Sequence, residues 1–230
     1  MCGRFVQFSP ASLLRQIYEL KSVEDDDVKN RSPKYNITPG SDILAVSTEN
    51  SLRKLTLYRW GYLPSWVGSS TKIKPVINAV SETVTQKKFF ASAIKNSRCI
   101  VPMDGFYEWM SQLDTKRKIP YFIKAKDDLP LAVAGISSSI TTNVDSKIVK
   151  VTTCAVLTCE SNSLLKPIHD RMPVILSKKY WDLWLKNHEL SASSLGEILR
   201  PADSECFTRV AVSSLVNNPR NDFPDLLKEI

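Results

Sequence analysis

Five short apolar runs in the second half of the chain limit its fold more than any other feature. They fall at 98–102, 106–110, 119–125, 131–136 and 149–157, each bounded by polar or turn-forming residues. Segments this short are strands rather than helices. An earlier pair, 43–47 and 54–59, reads as a hairpin around Glu49-Asn50-Ser51, and short strands are expected at 3–8 and 207–212. Helical spacing lies at the margins. Leu13, Leu14, Ile17 and Leu20 follow Ser9-Pro10, which reads as an N-cap and first helical position. A helix-start pattern covers 81–94, Ser177 heads a helix carrying Trp181, Leu183, Trp184 and Leu185, and 195–199 is a further short helix. The segment 24–33, the link between the last two strand runs and 213–222 read as polar loops, and 161–165 as a helical turn. No repeat, linker or low-complexity stretch divides the 230 residues. The expected fold is therefore α+β, one domain over 1–230 built on curved antiparallel sheet.

A composition of 43% hydrophobic and 24% charged residues suits a soluble globular chain. No apolar run approaches the ~20 residues of a membrane span, and no basic-then-apolar leader opens the sequence. We expect an intracellular, soluble monomer without membrane contact, in nucleus or cytoplasm if the source is eukaryotic. The cysteines Cys2, Cys99, Cys154, Cys159 and Cys206 are scattered, none in a CxxC pair, and His169 and His188 lie apart from them. That pattern argues against a zinc site, and neither a metal nor a cofactor is expected. Cys99, Cys154 and Cys206 read as core thiols in strand-like stretches, and His188 as a surface residue. The net charge of +7 favours a polyanionic partner, nucleic acid above all. Lysines concentrate modestly at Lys87-Lys88.

Cys2 is the first candidate for chemistry. Removal of Met1 would give an N-terminal cysteine with a 1,2-aminothiol, whose α-amine and thiol titrate at roughly 8 and about 8.5. Such a group closes a thiazolidine with an aldehyde, or attacks an acyl carbon with the amine as base. The alternative is an incidental residue at a frayed end. Gly3 leaves space beside Cys2, and Arg4 would neutralise an anion or tune the thiol. Asn78 closes the apolar run 75–77, placed to bind an oxyanion or hold a thiol, or else to form a turn. Glu108 lies in Asp104-Gly105-Phe106-Tyr107-Glu108-Trp109 and by alternation shares a face with Phe106. A carboxylate in such surroundings suits acid/base work, or forms a salt bridge. In Pro167-Ile168-His169-Asp170-Arg171-Met172-Pro173 two prolines stiffen a loop with a proton carrier, His169, and a phosphate-type ligand, Arg171. Trp66, in the aromatic loop 60–66, and Pro39 would stack on bases or wedge a bent strand, unless the tryptophans belong to the core.

These blocks, with Tyr35-Asn36, Pro39-Gly40 and Val212-Ser213-Ser214-Leu215-Val216-Asn217-Asn218, occur in an order that resembles the SOS response-associated peptidase (SRAP) family over residues 2 to about 220. The resemblance implies a compact α+β domain, curved antiparallel sheets forming a barrel-like core with peripheral helices, and a groove for single-stranded DNA. It implies that Cys2, exposed by autoproteolytic loss of Met1, crosslinks to abasic sites as a thiazolidine, with possible lyase activity and crosslink reversal. By the same resemblance Asn78 positions Cys2 and the sugar, Glu108 shuttles protons, and His169 assists ring opening and reversal. Arg4, Thr158 and Arg171 match sugar- or phosphate-contacting positions, and Pro39 and Trp66 pack against the kinked strand. One departure stands out. Val80 replaces an arginine usual in the family, which Lys87, Lys88 or Lys74 would have to offset. Two other readings remain: an N-terminal-nucleophile hydrolase, whose further signature after Met-Cys-Gly is lacking, and a non-catalytic reader of modified DNA.

Overall fold

The computed structural model describes residues 2–21, 23, 25–67, 73–112, 117–144, 147–186 and 188–230. Its strands are β1 (Phe5–Gln7), β2 (Lys34–Ile37), β3 (Asp42–Glu49), β4 (Leu52–Trp60), β5 (Asn78–Val80), β6 (Arg98–Met103), β7 (Gly105–Ser111), β8 (Lys118–Ala125), β9 (Leu131–Val144), β10 (Lys147–Glu160), β11 (Arg171–Pro173) and β12 (Phe207–Ala211). Short helices α1 (Ala11–Ile17), α2 (Asp26–Lys29), α3 (Ala91–Asn96), α4 (Trp181–Leu185) and α5 (Ala192–Ile198) lie among them. No helix of the described residues is long and apolar enough to cross a membrane.

Strands β10, β4, β3, β6 and β9 close on themselves as a five-stranded barrel. The fold is thus the expected α+β arrangement with a barrel core. Its pairings are antiparallel except where β10 runs parallel to β4 and to β5. Beside the barrel lies a second sheet, ordered β12-β8-β7-β1-β2. Gln7, 4% exposed, stitches the two together. Its amide nitrogen donates to Leu44 O at 3.0 Å and Pro102 O at 2.7 Å, and its oxygen accepts from Leu44 N at 2.9 Å. A buried amide with its capacity used on backbone groups costs little and fixes where β1 sits on the barrel.

The hairpin β3–β4 turns at Asn50 and Ser51, with φ of 49° and 62°. Two left-handed residues match the strand twist of a tight hairpin. Several expectations need correction. Ser9 does not cap α1: Pro10 holds that position, and the Ser9 hydroxyl bonds Asp104 instead. The helix expected over 81–94 is confined to Ala91–Asn96, and 81–90 runs as turns. Thr83, Val84 and Thr85 are β-branched and poorly suited to helix. Much of the polar stretch expected as loop between 136 and 149 is strand instead: β9 runs to Val144 and β10 starts at Lys147, paired from Val144↔Lys147 to Gly135↔Val156. Its serines and threonines cover a sheet rather than form a loop. Within 24–33 a one-turn helix stands where loop was expected, with Asp25 capping Asp27 N. Ser177 precedes a 3-10 turn and makes no side-chain cap. Cys99 and Cys154 are buried as expected, but Cys206 is exposed. It ends the 3-10 turn 204–206 beside β12, the edge of its sheet.

Candidate active site

Four chain segments meet where the two sheets adjoin. Cys2 enters from the head of β1, which pairs β7 with Phe5 opposite Phe106 and Val6 opposite Gly105. Tyr107 N donates to Arg4 O at 2.9 Å, so the same register sets Gly3 across from Glu108. On the other side of β7, Gly105 lets β8 pack close, since a Cβ there would overlap the Phe122 ring and lie 2.7 Å from Ile123 O. The third segment is β5. Ile77 O accepts from Val156 N at 3.1 Å and from Trp60 Nε1 at 3.0 Å, which anchors Asn78 just beyond. Asn78 Nδ2 then donates to Cys2 O at 2.9 Å. Its Oδ1 is buried with no hydrogen-bond partner among the described residues.

Cys2 is fully buried, and burial, with the Glu108 charge next, pushes its thiol well above the ordinary value. Glu108 is 5% exposed, and burial raises its carboxyl above the ordinary value. The carboxylate is therefore held toward its protonated form next to a neutral thiol. His169 reaches this place from the fourth segment, a turn that leaves β10 and returns as β11. Ser161 N donates to Asp170 O at 3.0 Å, and His169 N to Leu165 O at 3.0 Å. Arg171 N donates to His169 Nδ1 at 2.9 Å. That nitrogen must carry a lone pair, so the neutral ring bears its hydrogen on Nε2. Such a set can hold a nucleophile, move protons and bind a developing oxyanion. Among the described residues no cluster of His, Cys, Asp or Glu could hold a metal ion.

The DNA-contact candidates divide into two groups. Pro39, Trp66, Lys87 and Lys88 are exposed. Pro39 lies in the turn where Gly40 N donates to Trp60 O at 2.8 Å, so it and the loop carrying Trp66 both sit at the end of β4. Trp66 is 64% exposed, packs edge-on against Phe89, and shares a cavity of about 240 Å³ with Lys88. Arg4, Arg171 and Thr158 face inward. Arg4 Nη1 donates to Asn36 Oδ1 at 2.7 Å and Val216 O at 2.8 Å. Its guanidinium lies over the Trp109 ring, 5.7 Å from the centroid. Arg171 grips Glu82. Thr158 is fully buried, its hydroxyl without a hydrogen-bond partner among the described residues. Asn36, which also donates to Val216 O, Asn218 O and Asn221 O, was named in the sequence only as part of a family block, without a role, and Glu82 was not singled out. No local pattern marks a residue whose partners lie over 80 positions away.

A buried cysteine at the junction of two sheets, beside a carboxamide, a buried carboxylate and an oriented imidazole, brings together the groups that nucleophilic and proton-transfer chemistry require. The family follows from comparison. Residues 1–219 match the model of the SOS response associated peptidase (SRAP) family, and the chain belongs to it. It is 37% identical to the abasic site processing protein YoaM of Bacillus subtilis, over 99% of this chain and 97% of the relative. It is 30% identical to the abasic site processing protein YedK of Escherichia coli over the full length of both. A crystal structure of a protein from Bacteroides thetaiotaomicron superposes with a TM-score of 0.86 at 25% identity, covering both chains entirely.

Proposed function

We propose that this chain processes abasic sites, as the names of its relatives suggest, and that it does so in single-stranded DNA through a covalent link at Cys2. The observation that carries the reading is the 2.9 Å bond from Asn78 to the Cys2 carbonyl, which seats the first residues against Glu108. While Met1 is attached, the Cys2 nitrogen is an amide. Its hydrolytic removal frees an amine. The amine adds to C1′ of the open-chain sugar aldehyde, and loss of water gives a Schiff base. The Cys2 thiol then gives up its proton, the sulfur adds to C1′ of the protonated Schiff base, and a thiazolidine closes. The balance is aldehyde plus aminothiol giving ring plus one water. Glu108, held toward protonation, donates to the departing hydroxyl and receives the thiol proton later. His169 offers its Nε2 hydrogen to the sugar oxygen as the ring opens, and the free Asn78 Oδ1 accepts from the amine. The same Schiff base permits β-elimination, a lyase side reaction.

The surface supports a single strand as substrate. Exposed Trp66 and Pro39 form a stacking wedge at the end of β4. Phosphate contact falls to Lys87, Lys88 and Lys74, since Val80 is apolar, Arg4 is engaged by Asn36 and Arg171 by Glu82. The test is incubation of the mature protein with an abasic single strand, followed by heat and a denaturing gel. A heat-stable adduct that Cys2→Ala cannot form is expected. Equal DNA binding with no adduct from either protein would instead indicate a non-catalytic reader.

A further inference from the structure

Arg171 matches a phosphate-contacting position, yet its guanidinium is committed. Nη1 donates to Glu82 Oε1 and Nη2 to Glu82 Oε2, each at 2.7 Å, and Nη2 also to Thr158 O at 2.6 Å. This is the planar, two-pronged geometry that gives guanidinium–carboxylate pairs their directional strength. The Arg171 hydrogen bonds hold the Glu82 carboxyl down at about 2, so it is ionised wherever the protein is folded near neutrality.

The backbone of the same arginine selects the His169 tautomer through its N–H at Nδ1. Glu82 itself leaves β5 by way of Ser81, whose N–H donates to Thr158 O at 2.9 Å. The short segment 78–82 therefore grips the reacting residue at one end, through Asn78, and the His169 loop at the other, through Glu82. Thr158 O receives both Ser81 and Arg171 and joins the two grips.

We infer that Glu82 is a positioning residue: by clamping Arg171 against Thr158 it fixes the N–H that holds His169 with its hydrogen on Nε2. The alternative, that Arg171 leaves Glu82 for a DNA phosphate, makes the opposite demand. If Glu82 positions, removing its charge slows chemistry. If Glu82 merely occupies Arg171, removing its charge frees an arginine and tightens DNA binding.

The deciding measurement is imidazole nitrogen–proton correlation spectroscopy of ¹⁵N-labelled protein at a pH where the rings are neutral. The chain has two histidines, and exposed His188 serves as the internal control. Wild type is expected to show a single His169 tautomer, with Nε2 protonated. Glu82→Gln is expected to lose that preference, and Glu82→Asp, which keeps the charge, to retain much of it. A second arm rests on the abasic-site reading: at saturating abasic DNA, Glu82→Gln slows adduct formation about tenfold, short of the ~10²–10⁴ for losing a proton-transfer group, with affinity unchanged. An unaltered His169 spectrum in Glu82→Gln overturns the inference, as does tighter DNA binding at an unchanged rate. If wild type forms no adduct, the abasic-site reading falls, while the spectra still decide the role of Glu82.

Discussion

Two buried polar centres, one around Arg98 and one around Cys2, use hydrogen-bonding capacity in opposite ways. Arg98 is 1% exposed. Its Nε donates to Trp184 O at 2.6 Å, Nη1 to Ile94 O at 2.7 Å and Lys95 O at 2.8 Å, and Nη2 to Lys186 O and to His188 O. These carbonyls lie at or near the ends of α3 and α4, where helices leave acceptors without internal partners. Every donor of the guanidinium is spent on holding two helices to β6, and burial lowers its pKa to about 10. At the Cys2 junction, Asn78 Oδ1 and Thr158 Oγ1 are buried without hydrogen-bond partners among the described residues. A saturated centre is structure. A centre with acceptors kept open carries a stability cost until a donor from substrate or water offsets it.

Variants on the two sides should therefore part company: site variants lose chemistry and hub variants lose stability. The largest effect is expected from Cys2→Ala, which abolishes the adduct on a denaturing gel while costing about 1 kcal/mol of stability, near the value of one buried methylene. Next, Glu108→Gln slows adduct formation by about 10²–10⁴ and should stabilise the fold. The sign follows from the raised carboxyl: ionising a group whose folded pKa exceeds its unfolded value costs stability, and the cost develops as pH rises from about 4.3 through the folded pKa. Urea melts should show Glu108→Gln ahead of wild type at neutral pH and level with it near pH 4. Arg98→Met leaves helix-end carbonyls facing an apolar chain and should lose about 3–5 kcal/mol in urea, yet keep the wild-type rate where folded. Asn78→Ala removes the tether to Cys2, worth about 1 kcal/mol, and rapid-quench assays should show a loss of about tenfold. Smallest, Lys87→Ala and Lys88→Ala should each reduce the logarithmic salt slope of single-strand binding by about 0.7. A site variant that unfolds the protein, or an Arg98 variant that selectively slows the chemistry, would break the contrast.

How much of this was legible depended on distance along the chain. The β3–β4 hairpin was readable because Asn50 and Ser51 tolerate left-handed backbone and their neighbours alternate. The polar half of the β9–β10 hairpin was not, because Ser137, Ser138 and Ser139 look like loop until their cross-strand partners are known. Glu108 was readable as a buried carboxylate from its strand neighbours. Cys2, Asn78 and His169 gained their joint meaning from ordered family blocks, since no spacing rule links positions so far apart. Arg98 looked like the first residue of a strand and Glu82 like part of a helix start. Their roles arise from partners 86 and 89 positions away, and pairing at that range is set by tertiary packing.

The central claim, that a buried aminothiol becomes available and traps an aldehyde, comes down to one intact-mass measurement on the protein after reaction with an abasic oligonucleotide. We expect a species whose mass is that of the chain without Met1, plus the oligonucleotide, less one water. An adduct that retains Met1, or one of unchanged yield in Cys2→Ala, would contradict the account.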